Sequence, residues 1–268
     1  MHLGHVVNAI YVWGVARQRD ARVVLRIEDH DRIRCRPEYL TALLDDLDWL
    51  GFTPDEGRRP LIRQRDRDAI YRDALERLRR SHHVYACTCS RKTIAGERYD
   101  GRCRDRGLSE SGRHILRLRV EPGLERFTDL RLGSIEQSPA DQCGDIAIRD
   151  RDGQWTYQFA VTVDDIEQGI TLIIRGEDLL SSTGRQLRLG AMLGRTEPPQ
   201  FLHNPLLFNA RGQKLSKSAF DTGVRELRAA GLAAADVIGR AAHAAGLIDI
   251  WRPVPAIDVG GLFDQGVA

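Results

Sequence analysis

Lys214-Leu215-Ser216-Lys217-Ser218 is the stretch on which the reading of the whole chain turns. Of 40 Lys and Arg residues, only Lys92, Lys214 and Lys217 are Lys. A chain that writes Arg almost everywhere keeps two Lys within four positions, near Gly212 and beside two serines. The Arg guanidinium is a rigid fork, whereas the Lys ammonium is a compact charge on a flexible stem, suited to following a phosphate that moves during reaction. At the opposite end, His2-Leu3-Gly4-His5 sets two imidazoles three positions apart, on one face of a helix. Gly4 between them leaves room for a ligand to approach the backbone. Val6, Val7, Ala9, Ile10, Val12 and Val15 then predict a helix over about 3–18. Its free N-terminal N–H groups and partial positive charge suit it to holding phosphate.

Working outward, 268 residues suffice for a sizeable core in one large or two modest domains. The composition, 42% hydrophobic and 29% charged, is that of an ordinary globular protein. A formal net charge of +2 gives no strong global field, so contact with nucleic acid must come from local Arg patches. No apolar run reaches the length of about 18 residues that a membrane span needs, and no signal peptide precedes the first motif. Five unevenly spaced cysteines point to a reducing compartment in which thiols bind metal, so a cytoplasmic location is expected.

Between the two end motifs, residues 21–27 read as a buried strand that delivers Glu28-Asp29-His30-Asp31 at its carboxyl end, where open α/β sheets bind ligands. Pro37 opens a helix over about 38–50, and a second, Arg-rich helix is expected over about 66–82. Cys87-Thr88-Cys89, followed by Cys103, suits a tetrahedral thiolate site for Zn²⁺. The fourth ligand is to be sought among Tyr99, His82, His83, His114 and Cys143. Residues 114–135 read as β-structure belonging to the metal-bearing insertion. Trp155 to Asp165 read as a strand or hairpin delivering Tyr157 and Gln158, then a helix. Ile170–Ile174 reads as an inner parallel strand, and it ends at Arg175-Gly176. Arg175 is thereby well placed to clamp a carboxylate with two parallel hydrogen bonds. Ser181-Ser182-Thr183 reads as the cap of a helix over about 182–193. Two or three helices are expected over 221–250, and the tail 251–268 shows no motif.

The lysine stretch resembles the KMSKS loop of class I aminoacyl-tRNA synthetases, and His2-Leu3-Gly4-His5 resembles their HIGH motif. Leu25-Arg26-Ile27-Glu28-Asp29-His30-Asp31 is similar to the glutamyl-tRNA synthetase phrase Arg-Ile-Glu-Asp-Thr-Asp, with His30 where the family has Thr. Tyr157 to Asp165 match a further family phrase, and the order Cys-x-Cys, Tyr, Cys resembles the glutamyl-Q tRNA(Asp) synthetases. Gly184 stands where the family usually has Pro.

The resemblance implies an α/β class I synthetase fold: a Rossmann-type parallel sheet, a small zinc-binding insertion and a C-terminal helical segment. It divides the chain into the first half of the Rossmann domain (1–86), the insertion (87–140), the second half (141–208), and the lysine loop with its helices (209–268). It implies ATP bound by His2, Gly4, His5 and Lys217, with His2, His5, Lys214 and Lys217 stabilising phosphate charge. It places Glu28 on the ammonium of L-glutamate, Tyr157 and Arg175 on the rest of that amino acid, and Cys87, Cys89, Tyr99 and Cys103 on Zn²⁺. The expected activity is Mg²⁺- and ATP-dependent formation of glutamyl-adenylate without tRNA. Transfer to queuosine at the wobble position of tRNA(Asp) follows, by a monomer. In the family a strand precedes the HIGH motif, and here Met1 stands directly before His2, so a start further upstream is expected. The alternative is an N-terminally truncated, inactive synthetase-like remnant that binds RNA or zinc without catalysis.

Overall fold

Helix α1 (Leu3–Gln18) is apolar on all sides, and such a helix is stable only when it is surrounded. Val6, Val7, Ile10 and Val15 are indeed wholly buried at the centre of the larger core. The structure, a computed structural model, describes residues 1–30, 35–90, 94, 98–208, 212 and 223–264; Lys214 and Lys217 lie outside the described residues.

After α1 come β1 (Arg26–Ile27), α2 (Pro37–Leu50), β2 (Ile62–Arg63), α3 (Asp68–Ser81), β3 (Val84–Cys87) and β4 (Ile115–Leu118). Next are β5 (Glu125–Asp129), β6 (Gly133–Gln137), α4 (Pro139–Gln142), β7 (Ile146–Arg149) and α5 (Tyr157–Glu167). The chain continues through β8 (Leu172–Gly176), α6 (Thr183–Met192), β9 (Gln200–Asn204), α7 (Val224–Ala229) and α8 (Ala234–Ala244). The main sheet has the order β6-β5-β9-β8, in which β9 runs parallel to both β5 and β8. A separate antiparallel sheet has the order β3-β4-β7, and β1 pairs in parallel with β2. A second core, around Tyr71, Leu78, Leu116, Ile148 and Phe159, lies between the antiparallel sheet and helices α3 and α5.

Several sequence expectations are corrected here. Only Arg26 and Ile27 of the expected strand 21–27 enter a ladder, with one bridge from Val24 to Glu56. The partner segment turns away at Gly57, whose positive φ lets it pass so close to Leu25 that a Cβ there would lie 1.9 Å from the Leu25 carbonyl oxygen. Strand β8 is an edge of its sheet among the described residues; it reads as an inner strand because Leu172 and Ile174 pack against the α1 core. The β-structure expected over 114–135 divides between two sheets. β4 pairs with β3 and β7, whereas β5 lies beside β9 in the main sheet, although it falls within the span assigned to the insertion. Tyr157 and Gln158 sit not on a strand but in the first turn of α5, after a single bridge between Arg149 and Trp155. Ser182 occupies the position before α6 without capping it, because a 3₁₀ turn, Glu177–Ser182, already runs into the helix. The motif-free tail forms a 3₁₀ turn, Ala256–Phe263, that covers α1 and sets Phe263 edge-on to Tyr11 at 5.1 Å.

Candidate active site

The candidate residues lie at the carboxyl ends of β1, β8 and β9 and at the N-termini of α1 and α5, the kind of position at which open α/β sheets bind ligands. At α1, His2 occupies the N-cap, and its Nδ1 accepts a hydrogen bond from the Gly4 N–H at 3.1 Å. His5 Nδ1 in turn accepts from the His2 backbone N–H at 3.2 Å, and the ring centroids stand 3.7 Å apart. Two imidazoles thus perform the reciprocal capping that Ser and Glu perform elsewhere. With both Nδ1 atoms acting as acceptors, the protons belong on the Nε2 atoms. Two N–H donors therefore stand at the positive end of a helix, an arrangement suited to phosphate oxygens. A Cβ at Gly4 would lie 3.0 Å from His2 Cε1, so a larger residue would press on the capping ring.

Arg175, at the end of β8, is 7% exposed. Its Nε donates to His203 Nε2 at 3.1 Å, its Nη1 to Gln186 Oε1 at 2.5 Å and its Nη2 to Thr183 Oγ1 at 2.9 Å. His203 is wholly buried and keeps its proton on Nδ1, facing Asp129 Oδ2 at 2.7 Å, so its Nε2 can accept from Arg175. Burial, followed by the repulsion of Arg175, holds the His203 pKa down despite the pull of Asp129. A chain of neutral and charged groups thus fixes the guanidinium plane. Tyr157 stands within electrostatic reach of both Arg175 and Glu28: burial and then Glu28 push its hydroxyl up to about 12, while Arg175 opposes them. Glu28 itself is held by Arg26 Nη2 at 3.1 Å. The structure therefore brings Glu28, Tyr157 and Arg175 together. Beside them Asp165 is pushed up to about 6, because burial outweighs an Arg26 guanidinium shared with Asp164 and Glu28.

The thiols gather at the end of β3. One ligand atom from each of Cys87, Cys89 and Cys103 lies within 4.8 Å of the others, with the Cys89 and Cys103 sulfurs 3.6 Å apart. The Tyr99 hydroxyl joins them, 3.5 Å from Cys87 Sγ and 3.0 Å from the Cys103 N–H. The other candidates are engaged elsewhere: Cys143 Sγ with the Pro139 carbonyl, His114 with Ser109, His82 with Met192, and His83 against the Tyr85 ring. Three sulfurs gathered this closely are a donor set that suits Zn²⁺, which takes four ligands, and the Tyr99 hydroxyl beside them stands near enough to be the fourth. Burial works against a thiolate at Cys103, but hydrogen bonds from Tyr99, the Thr88 N–H and the neighbouring thiols bring it down to about 6.

Residues 1–233 match the family described as tRNA synthetases class I (E and Q), catalytic domain. The glutamyl-Q tRNA(Asp) synthetase of Nitratidesulfovibrio vulgaris is 39% identical over 98% of this chain and 88% of its own length. That of Symbiobacterium thermophilum is 37% identical over the same shares. The chain belongs to the glutamyl-Q tRNA(Asp) synthetase family of class I tRNA synthetases. As such it is a ligase of a class that uses ATP. The glutamate–tRNA ligase of Frankia alni is 40% identical over 81% of this chain, which spans only 47% of that ligase. A glutamate tRNA ligase from Elizabethkingia meningosepticum, solved in complex with its amino acid, superposes with a TM-score of 0.81 at 24% identity. The match takes in the whole of this chain and 63% of that one, and it establishes the shared fold.

In a synthetase of this family the sequence reading of the lysine stretch falls outside the described residues. Asp129, Thr183, Gln186 and His203, which orient Arg175, escaped that reading. One signal was available: a His in the apolar run Phe201-Leu202-His203 is out of place unless it is partnered.

Proposed function

We propose that the protein activates L-glutamate with ATP and Mg²⁺ to glutamyl-adenylate in the absence of tRNA, and then transfers the glutamyl group to queuosine at the wobble position of tRNA(Asp). The observation that carries this reading is the buried Arg175, its plane fixed by His203, Thr183 and Gln186, in the neighbourhood of Glu28 and Tyr157. Two cations or donors for carboxylates and one anion for an ammonium are the complement of glutamate. A neutral amide at the side-chain position would leave the guanidinium poorly matched.

In this reading the α-carboxylate of glutamate attacks the α-phosphate of ATP while the Nε2–H groups of His2 and His5 donate to phosphate oxygens. Neither imidazole has to change charge. Lys214 and Lys217 are assigned to the leaving pyrophosphate by their motif alone. Mg²⁺ enters as part of the nucleotide. Cys87, Cys89, Cys103 and Tyr99 would hold Zn²⁺, which would order the insertion and take no part in the chemistry. The likeness to glutamyl-Q tRNA(Asp) synthetases supports the choice of acceptor, and a cytoplasmic monomer goes with the same reading.

The acceptor is tested by incubating the protein with labelled glutamate, ATP and tRNA(Asp), with or without queuosine. Label is expected only on the modified tRNA, and the ester should be released by mild base. Equal labelling of both tRNAs, or labelling of glutamate tRNA, would overturn the choice.

A further inference from the structure

A polar cavity of about 180 Å³ opens beside the glutamate site, between the β2–α3 segment and the turn before α5. Its walls include His30, Gln64, Arg65, Arg72, Gln154 and Trp155. None of these is a candidate for binding ATP or glutamate, yet the His30 ring lies 6.3 Å, centroid to centroid, from that of Tyr157. A reaction that joins three reactants needs a third subsite contiguous with the second. The cavity meets that need, and its polar lining suits a hydroxyl-bearing reactant.

Within it, His30 is held with unusual care. Its Nδ1 lies 2.6 Å from Oε1 of Gln64, a residue 1% exposed. The Gln64 amide is itself oriented from behind, because its Nε2 donates at 2.8 Å to the wholly buried Asp164. Asp164 also accepts from Arg67 Nε at 2.6 Å and the Tyr71 hydroxyl at 2.9 Å, so the carboxylate is an acceptor on every side. The amide N–H must therefore face Asp164 and the amide oxygen must face the ring. In the neutral ring the proton thus belongs on Nδ1, which leaves the lone pair on Nε2. Among the described residues no hydrogen bond reaches that Nε2. Asp68, the carboxylate on the cavity wall, is engaged by Trp155 Nε1 at 2.8 Å and Arg72 Nη2 at 2.6 Å.

We propose that the cavity receives the hydroxyl-bearing nucleoside of the acceptor and that His30 is the base of the transfer step. The inference rests on the glutamyl-transfer reading above. The acceptor O–H bond breaks and its proton passes to His30 Nε2. The acceptor oxygen bonds to the glutamyl carbonyl carbon, and the bond from that carbon to the phosphate oxygen breaks, so AMP leaves with the electron pair. Where His30 stands, the similar glutamyl-tRNA synthetase phrase has Thr, so His30→Thr is an informative variant.

The test separates the half-reactions in the intact protein. For His30→Ala, pyrophosphate exchange with glutamate is expected within about 2-fold of wild type. Single-turnover transfer from preformed adenylate to tRNA(Asp) is expected to fall by about 100-fold or more, the usual worth of a general base. Added imidazole is expected to restore part of that loss, which a merely structural role would not allow. His30→Thr, a smaller disturbance to the wall, is expected to show the same split. Undiminished transfer, a selective loss that imidazole does not relieve, or an equal fall in both half-reactions in the two variants would each overturn the role of His30. Absence of exchange in the wild-type protein would instead remove the glutamyl-transfer reading and this inference with it.

Discussion

Arg175 illustrates how much of this site is prepared before a substrate arrives. Three internal hydrogen bonds set its plane, so little ordering remains to oppose binding. Arg175→Lys keeps the charge and loses the fork. We expect kcat/KM for glutamate in pyrophosphate exchange to fall by about 10- to 100-fold, mostly through KM, since the bidentate geometry is lost. Asp165 makes a pH-dependent contribution. Its value of about 6 lies above the ordinary 3.8, so between those pH values the folded chain holds a proton that the unfolded chain releases. Stability attributable to this group therefore declines as pH rises from about 4 to 6 and stays lower beyond. A shift of about two units corresponds to at most roughly 3 kcal/mol, and the remaining Arg26 contact reduces the gain from removing the charge. Asp165→Asn is expected to raise the urea-unfolding free energy by roughly 1–2 kcal/mol at pH 7.5 and by nothing measurable at pH 4. Glu28 and Tyr157 were singled out by the family phrases they belong to and Arg175 by its place at a strand end, and the structure brings the three together. The Asp129–His203 pair was not legible, since its members are 74 positions apart and only the sheet brings them together.

Among the elements, α1, α2 and α6 lie close to their expected bounds, and β8 was found near its expected place although at an edge of its sheet among the described residues. The extent of its apolar run gives α1 its bounds, whereas only two residues of 21–27 found a ladder, because the partner segment leaves it at Gly57. The tail was silent because a 3₁₀ turn has too short a period to announce the face it buries. Its packing makes a sharp test. A Cβ at Gly14 would come within 2.2 Å of the Phe263 ring, so Gly14→Ala should displace the tail and cost about 1–3 kcal/mol in denaturant unfolding. The insertion offers another. Gly144, at φ +66, passes so close to the Tyr99 backbone that a Cβ would stand 1.8 Å from its carbonyl oxygen. Gly144→Ala should therefore shift Tyr99 away from the three sulfurs. Chelator competition is expected to show zinc held about 10- to 100-fold more weakly, with Tyr99→Phe giving a similar loss.

On the scale of the whole molecule, the candidate site is drawn from segments spread across the chain: the start of α1, the end of β1, the start of α5 and the ends of β8 and β9. The fold was legible through the ordered set of motifs, taken together with their resemblance to class I synthetases, and not through any one of them. How the strands divide between sheets was not legible, since pairing of β5 with β9 rests on contacts more than 70 positions apart. The measurement that tests the central claim most directly is exchange of labelled pyrophosphate into ATP without tRNA, with glutamate, glutamine and aspartate compared side by side. The account predicts exchange with glutamate, with glutamine and aspartate weaker by about 100-fold or more, the discrimination available to a buried bidentate cation. Equal exchange with glutamine, or none with glutamate from a folded, zinc-loaded protein, would contradict it.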